Sequence, residues 1–143
     1  EIRKNVLRME RDEEILKQEI KSMRQKMLEG HPNASSLFDI KHDPGGIVDV
    51  EFIVQFLVLA HAHDHPELME NIGNIGLLRK MGESGLVDSF LGSNVQNAYR
   101  EYRRLQHRLR LSGEKYARIG KGRIEKEVGF VLRLWDGVFE GKS

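Results

Sequence analysis

The sequence predicts an all-α protein, an antiparallel up-and-down bundle of about five helices. Three observations predict it. Apolar residues recur at three- and four-residue spacing through most of the chain. The core segment from Gly46 to Ala62, largely apolar although it holds Asp49, Glu51 and Gln55, is too long for an ordinary buried strand. The periodic stretches are parted by short Gly-, Pro- and Ser-containing breaks, with no repeat and no low-complexity linker, so residues 1–143 read as one helical domain.

The first helix carries Ile2, Val6, Met9, Leu16, Ile20, Met23 and Met27 as an apolar stripe broken by Glu13. That stripe is an amphipathic helix of about seven turns. Gly30-His31-Pro32-Asn33 ends it, and a polar loop from Asn33 to Ser36 leads into Phe38-Asp39-Ile40. The second element begins at Pro44-Gly45-Gly46, with Asp43 placed to cap it and Pro44 suited to its first turn. Val48-Asp49-Val50-Glu51-Phe52 alternates, and as a strand it would put both carboxylates on one face. The apolar run continues to Ala60, however, and that length favours a helix apolar on nearly all sides. On a helix, residues two apart point about 200° away from each other, so Asp49 and Glu51 cannot chelate one ion together. Asp49 then shares a face with Ile53 and Phe56, and Glu51 with Gln55 and Val58.

Further on, Leu68, Ile72, Ile75, Leu78 and Met81 mark a helix over residues 67–81, weakened by Gly73 and Gly76. A turn at residues 82–85 precedes a short helix over 86–91, and Ser93 or Asn94 can cap the next. That helix carries Val95, Ala98, Tyr99, Tyr102, Leu105 and Leu109. Residues 112–122 read as a loop. Val128, Val131, Leu132, Trp135, Val138 and Phe139 make the inner side of a last helix over 123–139.

Composition excludes several classes. The absence of cysteine excludes a disulfide framework and a thiolate metal site. No apolar run approaches the roughly 18 residues of a membrane span, and no leader pattern opens the chain, so no membrane partner and a cytoplasmic location are expected. A net charge of +1 is too small to imply a nucleic-acid partner. Glu1 opens inside a helical pattern with no initiator Met, which leads us to expect a piece of a longer protein.

Two surface stretches have charge enough to suggest a site. His61 and His65 lie four apart, but no third ligand stands at a recognisable spacing, and the bland reading is a solvated helix end. No metal site is expected. Arg100, Arg103, Arg104, Arg108 and Arg110 crowd one helix. They are either contacts for phosphate or an acidic partner, with Arg100, Arg103 and Arg104 as candidates, or an exposed face whose stems cover apolar surface. His107 reads as a packed bundle residue. Gly141-Lys142-Ser143 lacks the earlier glycine and the strand-then-helix context of a phosphate loop. No serine or histidine is placed as a nucleophile–base pair.

The stretch Phe38-Asp39-Ile40-Lys41, with Asp43-x-Gly45-Gly46-Ile47-x-Asp49-x-Glu51-Phe52-Ile53-x-Gln55, resembles the glutamine synthetase adenylyltransferase family of adenylyl-transferring and adenylyl-removing enzymes. Met23-Arg24-x-Lys26-Met27, Asn71-Ile72, the 99–111 segment with His107, and Trp135 extend the resemblance over nearly the whole chain. The Phe-Asp-Ile-Lys opening is similar to the carboxyl-terminal half of that enzyme, the half associated with adenylylation. The resemblance implies the helical domain that follows a nucleotidyltransferase domain. It implies AMP transfer from ATP to a tyrosine of glutamine synthetase, with Mg2+ and ATP as cofactors of the intact enzyme. Neither is expected bound to this chain, because the family's Gly-Ser turn and Asp-x-Asp pair are absent from it. The implied partners are the upstream nucleotidyltransferase domain, glutamine synthetase and the PII signal protein. Within this chain, Lys41, Gly45, Gly46, Asp49 and Glu51 become candidates, either facing the active site or docking the neighbouring domain. Lys41 and the amides at Gly45 and Gly46 suit an anion at a helix start. The competing reading is a non-catalytic helical interaction module whose first helix pairs with another chain.

Overall fold

A computed structural model describes residues 2–141, with side chains from residue 12 onward. Five helices make the bundle: α1 (Ile2–Gly30), α2 (Ile47–His61), α3 (Gly73–Glu83), α4 (Ser89–Leu111) and α5 (Glu125–Phe139). The side chains of Ile2, Val6 and Met9, expected in the stripe of α1, lie outside the described residues, as do Lys142 and Ser143. The expected all-α class holds.

The sequence of α2 explains its position. It is apolar on nearly every side, so it needs neighbours all round. It packs against each of the other four helices. Val50, Ile53 and Phe56 on it are almost wholly buried, together with Tyr102 and Leu105 of α4 and Val131 and Trp135 of α5. Phe56, Phe139 and Trp135 form a run of aromatic contacts, with ring centroids 5.2 and 4.2 Å apart. As expected of a helix, Asp49 and Glu51 fall on different faces, and it is Asp49 that is buried and Glu51 exposed.

Several boundaries differ from the sequence reading, each for a local reason. The expected 67–81 helix is a 3-10 turn at Pro66–Met69 followed by α3, because Gly73 takes φ +79°, a left-handed conformation that cannot sit inside a helix. Ile72 consequently falls outside the helix and is exposed. The expected break near Ser93 does not occur. Asp88 caps α4 by accepting from the Leu91 N–H at 2.9 Å, and the helix runs on through a buried Gly92. Asp43 does not cap α2. Its carboxylate accepts from Asn33 Nδ2 and the Asp39 N–H, both at 2.9 Å, and so fixes the preceding loop.

Residues 112–122, read as a loop, contain a strand. β2 (Arg118–Ile119) pairs antiparallel with β1 (Phe38–Asp39), with Phe38 opposite Ile119 and Asp39 opposite Arg118. A further bond from the Ile40 N–H to the Ala117 carbonyl (2.8 Å) ties the segment down. A 3-10 turn at Lys121–Ile124 then leads into α5.

The glycine pair is dictated by space. Gly45 has φ +91°, and a Cβ there would lie 2.8 Å from Val128 Cγ1. A Cβ on Gly46 would lie 2.4 Å from the Ile40 carbonyl oxygen, which is backbone and cannot yield cheaply. Gly46→Ala is therefore expected to destabilise the fold by about 3 kcal/mol, the upper part of the overpacking range. Gly129→Ala, on α5 with no atom near its would-be Cβ, is expected to stabilise by about 0.5–1 kcal/mol. Chemical denaturation of both variants checks the contrast, and equal stabilities would contradict it.

Candidate functional site

The start of α2 is built around one buried carboxylate. Asp49 is 2% exposed. Its Oδ1 accepts from Arg24 Nε at 2.9 Å and its Oδ2 from Arg24 Nη2 at 2.6 Å, the two parallel bonds of a fork-on-carboxylate pair. Oδ2 also accepts from the Gly45 N–H at 2.7 Å. The Gly45 carbonyl in turn accepts from the Tyr102 hydroxyl at 2.9 Å. The Arg24 guanidinium lies 3.9 Å from the Trp135 ring centroid, a cation–π contact that covers its face. One network thus joins α1, the glycine turn, α2, α4 and α5. Burial pushes the Tyr102 phenol well above its ordinary value, with the Glu127 and Asp49 charges adding to it, so the hydroxyl stays a donor.

The network alters the reading of the glycine turn. An anion at the start of α2 would need free amides there, and they are engaged. The Gly45 N–H bonds Asp49, the Gly46 N–H the Asp43 carbonyl, and the Ile47 and Val48 N–H groups the Ile40 and Lys41 carbonyls. Gly45 and Gly46 are buried; Lys41 and Glu51 are exposed. Of the five candidates around the turn, only Lys41 and Glu51 therefore present a side chain to solvent. Asp49 holds the turn instead. Sequence reasoning missed Arg24, Tyr102 and Trp135 as members of this cluster. A signal existed for Arg24, which stands four residues after the buried Ile20 where an apolar side chain would continue the stripe. Met23, expected in that stripe, is exposed instead.

Beside the turn, Asp39 is also buried, at 5% exposure. Its Oδ1 accepts from the Lys41 and His42 N–H groups, both at 3.0 Å. His42 stacks flat on His31, with ring centroids 3.9 Å apart. Burial lowers the His42 pKa, the positive charge of His31 lowers it further, and the Asp39 carboxylate opposes them in part.

The arginine-rich face of α4 is partly self-paired. Arg104 forks onto Glu101 at 3.1 and 2.6 Å, and that bond holds the Glu101 carboxyl below its ordinary range. Arg100 donates to Asn97 at 2.9 Å. Arg103 is exposed. His107, expected to be packed, is exposed as well. His61 and His65 come no closer than 6.4 Å between ring centroids, and His65 lies against Glu67. Among the described residues, no group of three or more His, Asp or Glu side chains is arranged to hold a metal ion. Asp49 and Glu51 do not form a shared magnesium site, because Asp49 is paired with Arg24 and Glu51 faces solvent. No helix among the described residues is long and apolar enough to cross a membrane.

A family model described as GlnD PII-uridylyltransferase matches residues 14–118, from the middle of α1 to the first residue of β2. The chain belongs to this family. It is similar to the bifunctional glutamine synthetase adenylyltransferase/adenylyl-removing enzyme of Nitrosomonas eutropha, 49% identical over 97% of the chain and 16% of the relative. The enzymes of the same name from Bordetella bronchiseptica and Burkholderia mallei are 49% and 50% identical, over 97% and 96% of the chain and 15% of each relative. The chain therefore spans about one sixth of the length of the relatives it matches.

Two expectations follow. Asp49→Ala strands the Arg24 guanidinium and frees the Gly45 amide, so it is expected to cost about 3 kcal/mol or more. Arg24→Lys, which cannot fork, is expected to recover only part of what Arg24→Ala loses. Urea unfolding measures both, and a fully stable Asp49→Ala would deny the network its role. For His42 the folded pKa lies below the ordinary 6.5, so the unfolded chain takes up its proton first as the pH falls. Stability is then full above about pH 6.5 and declines as the pH drops through the folded pKa. The melting temperature is expected to fall between pH 7 and pH 5, and His42→Gln to flatten that slope; an unchanged slope would remove His42 as its cause.

Proposed function

We propose that this chain is the helical accessory domain of a glutamine synthetase adenylyltransferase. In the intact enzyme the reaction is transfer of AMP from ATP to a tyrosine hydroxyl of glutamine synthetase, with pyrophosphate released. The Mg2+ ligands and the main ATP-binding motif lie outside this chain, on a nucleotidyltransferase domain that precedes it. The observation that carries the reading is identity of about half over nearly the full chain to enzymes bearing that name. The helical domain adds groups at the edge of the transfer site rather than metal ligands. Lys41 and Glu51 are the side chains for this role: both are exposed, and they flank the glycine turn that Asp49 and Arg24 hold. Lys41 offers a cation to phosphate, and Glu51 accepts hydrogen bonds from a ribose or a substrate hydroxyl. The same exposure suits contact with the neighbouring domain. Arg100, Arg103 and Arg104 offer a basic face to glutamine synthetase, and the PII signal protein regulates the intact enzyme. A cytoplasmic enzyme of nitrogen metabolism is the setting this implies.

The test is AMP incorporation into glutamine synthetase from ATP and magnesium, comparing the 143-residue chain with one extended upstream through the nucleotidyltransferase domain. Activity is expected only in the longer protein. Within it, Glu51→Ala or Lys41→Ala is expected to slow transfer about tenfold, equivalent to ~1.4 kcal/mol at the barrier, without loss of stability. Transfer at the normal rate in both variants would remove them from the site. Transfer by the short chain alone would overturn the accessory role.

A further inference from the structure

A second feature lies beside the glycine turn. A cleft of about 550 Å³ opens between the carboxyl end of α1, the 39–42 turn, the last turn of α4 and the segment leading into β2. Its walls carry Lys41, Arg110, Lys115 and Arg118 together with the His31–His42 stack. Two carboxylates oppose them. Asp39 already accepts from the turn amides, which leaves Glu114 on the rim.

Arg118 distinguishes this cleft from a merely basic surface. Its side chain is 19% exposed, and its guanidinium lies over the Tyr116 ring at 4.1 Å. Its Nε is buried and has no hydrogen-bond acceptor, since the nearest carboxylate oxygen, on Asp39, stands 3.7 Å away. A buried donor of a charged group left without an acceptor is costly and uncommon. An anion in the cleft meets the exposed part of the same Arg118 side chain. Asp39 helps hold the guanidinium in place without satisfying it. The remaining cations sit on long exposed side chains that can close on a multiply charged ligand, as a lone carboxylate would not require.

We propose that this cleft binds a phosphate-bearing anion, with the partly buried Arg118 as its anchor and Lys41, Arg110 and Lys115 closing over it. Arg118 presents a planar fork suited to two phosphate oxygens, and the lysines add charge without directional demand. The volume accommodates a pyrophosphate group or the phosphate tail of a nucleotide. The inference does not depend on AMP transfer, because binding is read directly on this chain.

The experiment titrates the 143-residue chain with sodium pyrophosphate at fixed ionic strength, followed by amide chemical shifts and calorimetry. Saturable binding is expected below about 5 mM, with the shifts centred on Lys41, Lys115 and Arg118. Arg118→Gln is expected to weaken it about tenfold. Should that variant unfold, the Arg110→Gln/Lys115→Gln pair, on exposed side chains, keeps the test intact and is expected to weaken binding about fivefold. Arg79→Gln, exposed on α3 and outside the cleft, is the charge-matched control and is expected to change nothing. ATP binding more tightly than pyrophosphate, with added shifts at Tyr116, would assign the phosphate tail of a nucleotide; equal or weaker binding would assign the inorganic anion. No saturable binding, equal weakening by Arg79→Gln, or binding of polyglutamate without pyrophosphate would each overturn the proposal.

Discussion

The bundle depends on the way Asp49 is neutralised. A carboxylate at 2% exposure cannot stay charged in an apolar interior without partners. Arg24 supplies the opposite charge and the Gly45 amide a further bond, so three of its lone-pair directions are filled. Each partner then imposes a demand of its own. Arg24 leaves one face apolar-facing, and Trp135 covers it. Gly45 must turn its N–H inward, which requires φ +91° and no side chain. Its carbonyl is thereby buried and needs the Tyr102 hydroxyl. An all-apolar substitute of the same shape would be comparably stable, since buried ion pairs gain little net energy. What the ion pair adds is geometry: it fixes where α1 crosses α2 and how the chain enters α2.

This accounts for what could and could not be read from the chain beforehand. The α4 and α5 cores were legible because their apolar periodicity is strong and burial follows it, as at Val95, Tyr102, Val131 and Trp135, and α2 was legible because its long run is apolar on nearly every side. The boundaries around α3 and α4 were not. There a single left-handed glycine at residue 73 and a single capping carboxylate at Asp88 decide the outcome, and neither competes visibly with the surrounding propensity. The β1–β2 pairing was invisible for a different reason. Two residues on each side carry no period, and the partners are eighty positions apart in sequence.

The site was legible in its address and not in its roles. The turn at Gly45-Gly46 and the carboxylates at Asp49 and Glu51 do mark the most constrained part of the molecule. Sequence reasoning treated the two carboxylates as equals, because charge alone says nothing about which will find a partner. Helix geometry separates them. About 200° of rotation sends one toward α1 and the other to solvent. The partner that decides Asp49's fate comes from a helix twenty-five residues earlier, in a position that the apolar stripe had seemed to assign to Met23.

That separation also decides where chemistry can reside. A buried carboxylate forked by arginine and bonded by an amide lacks the access to take a proton or bind an incoming hydroxyl. A residue that exchanges ligands needs exposed lone pairs and a backbone that does not move when they are engaged. Glu51 meets both conditions, two residues along the helix from a network that immobilises its backbone. Lys41 meets them from the other side, on a turn whose amides are held by Asp39 and whose carbonyl is held by α2. The rigid interior and the exposed pair are thus one design: the buried charge fixes the frame, and the groups free to meet a ligand stand at its edge.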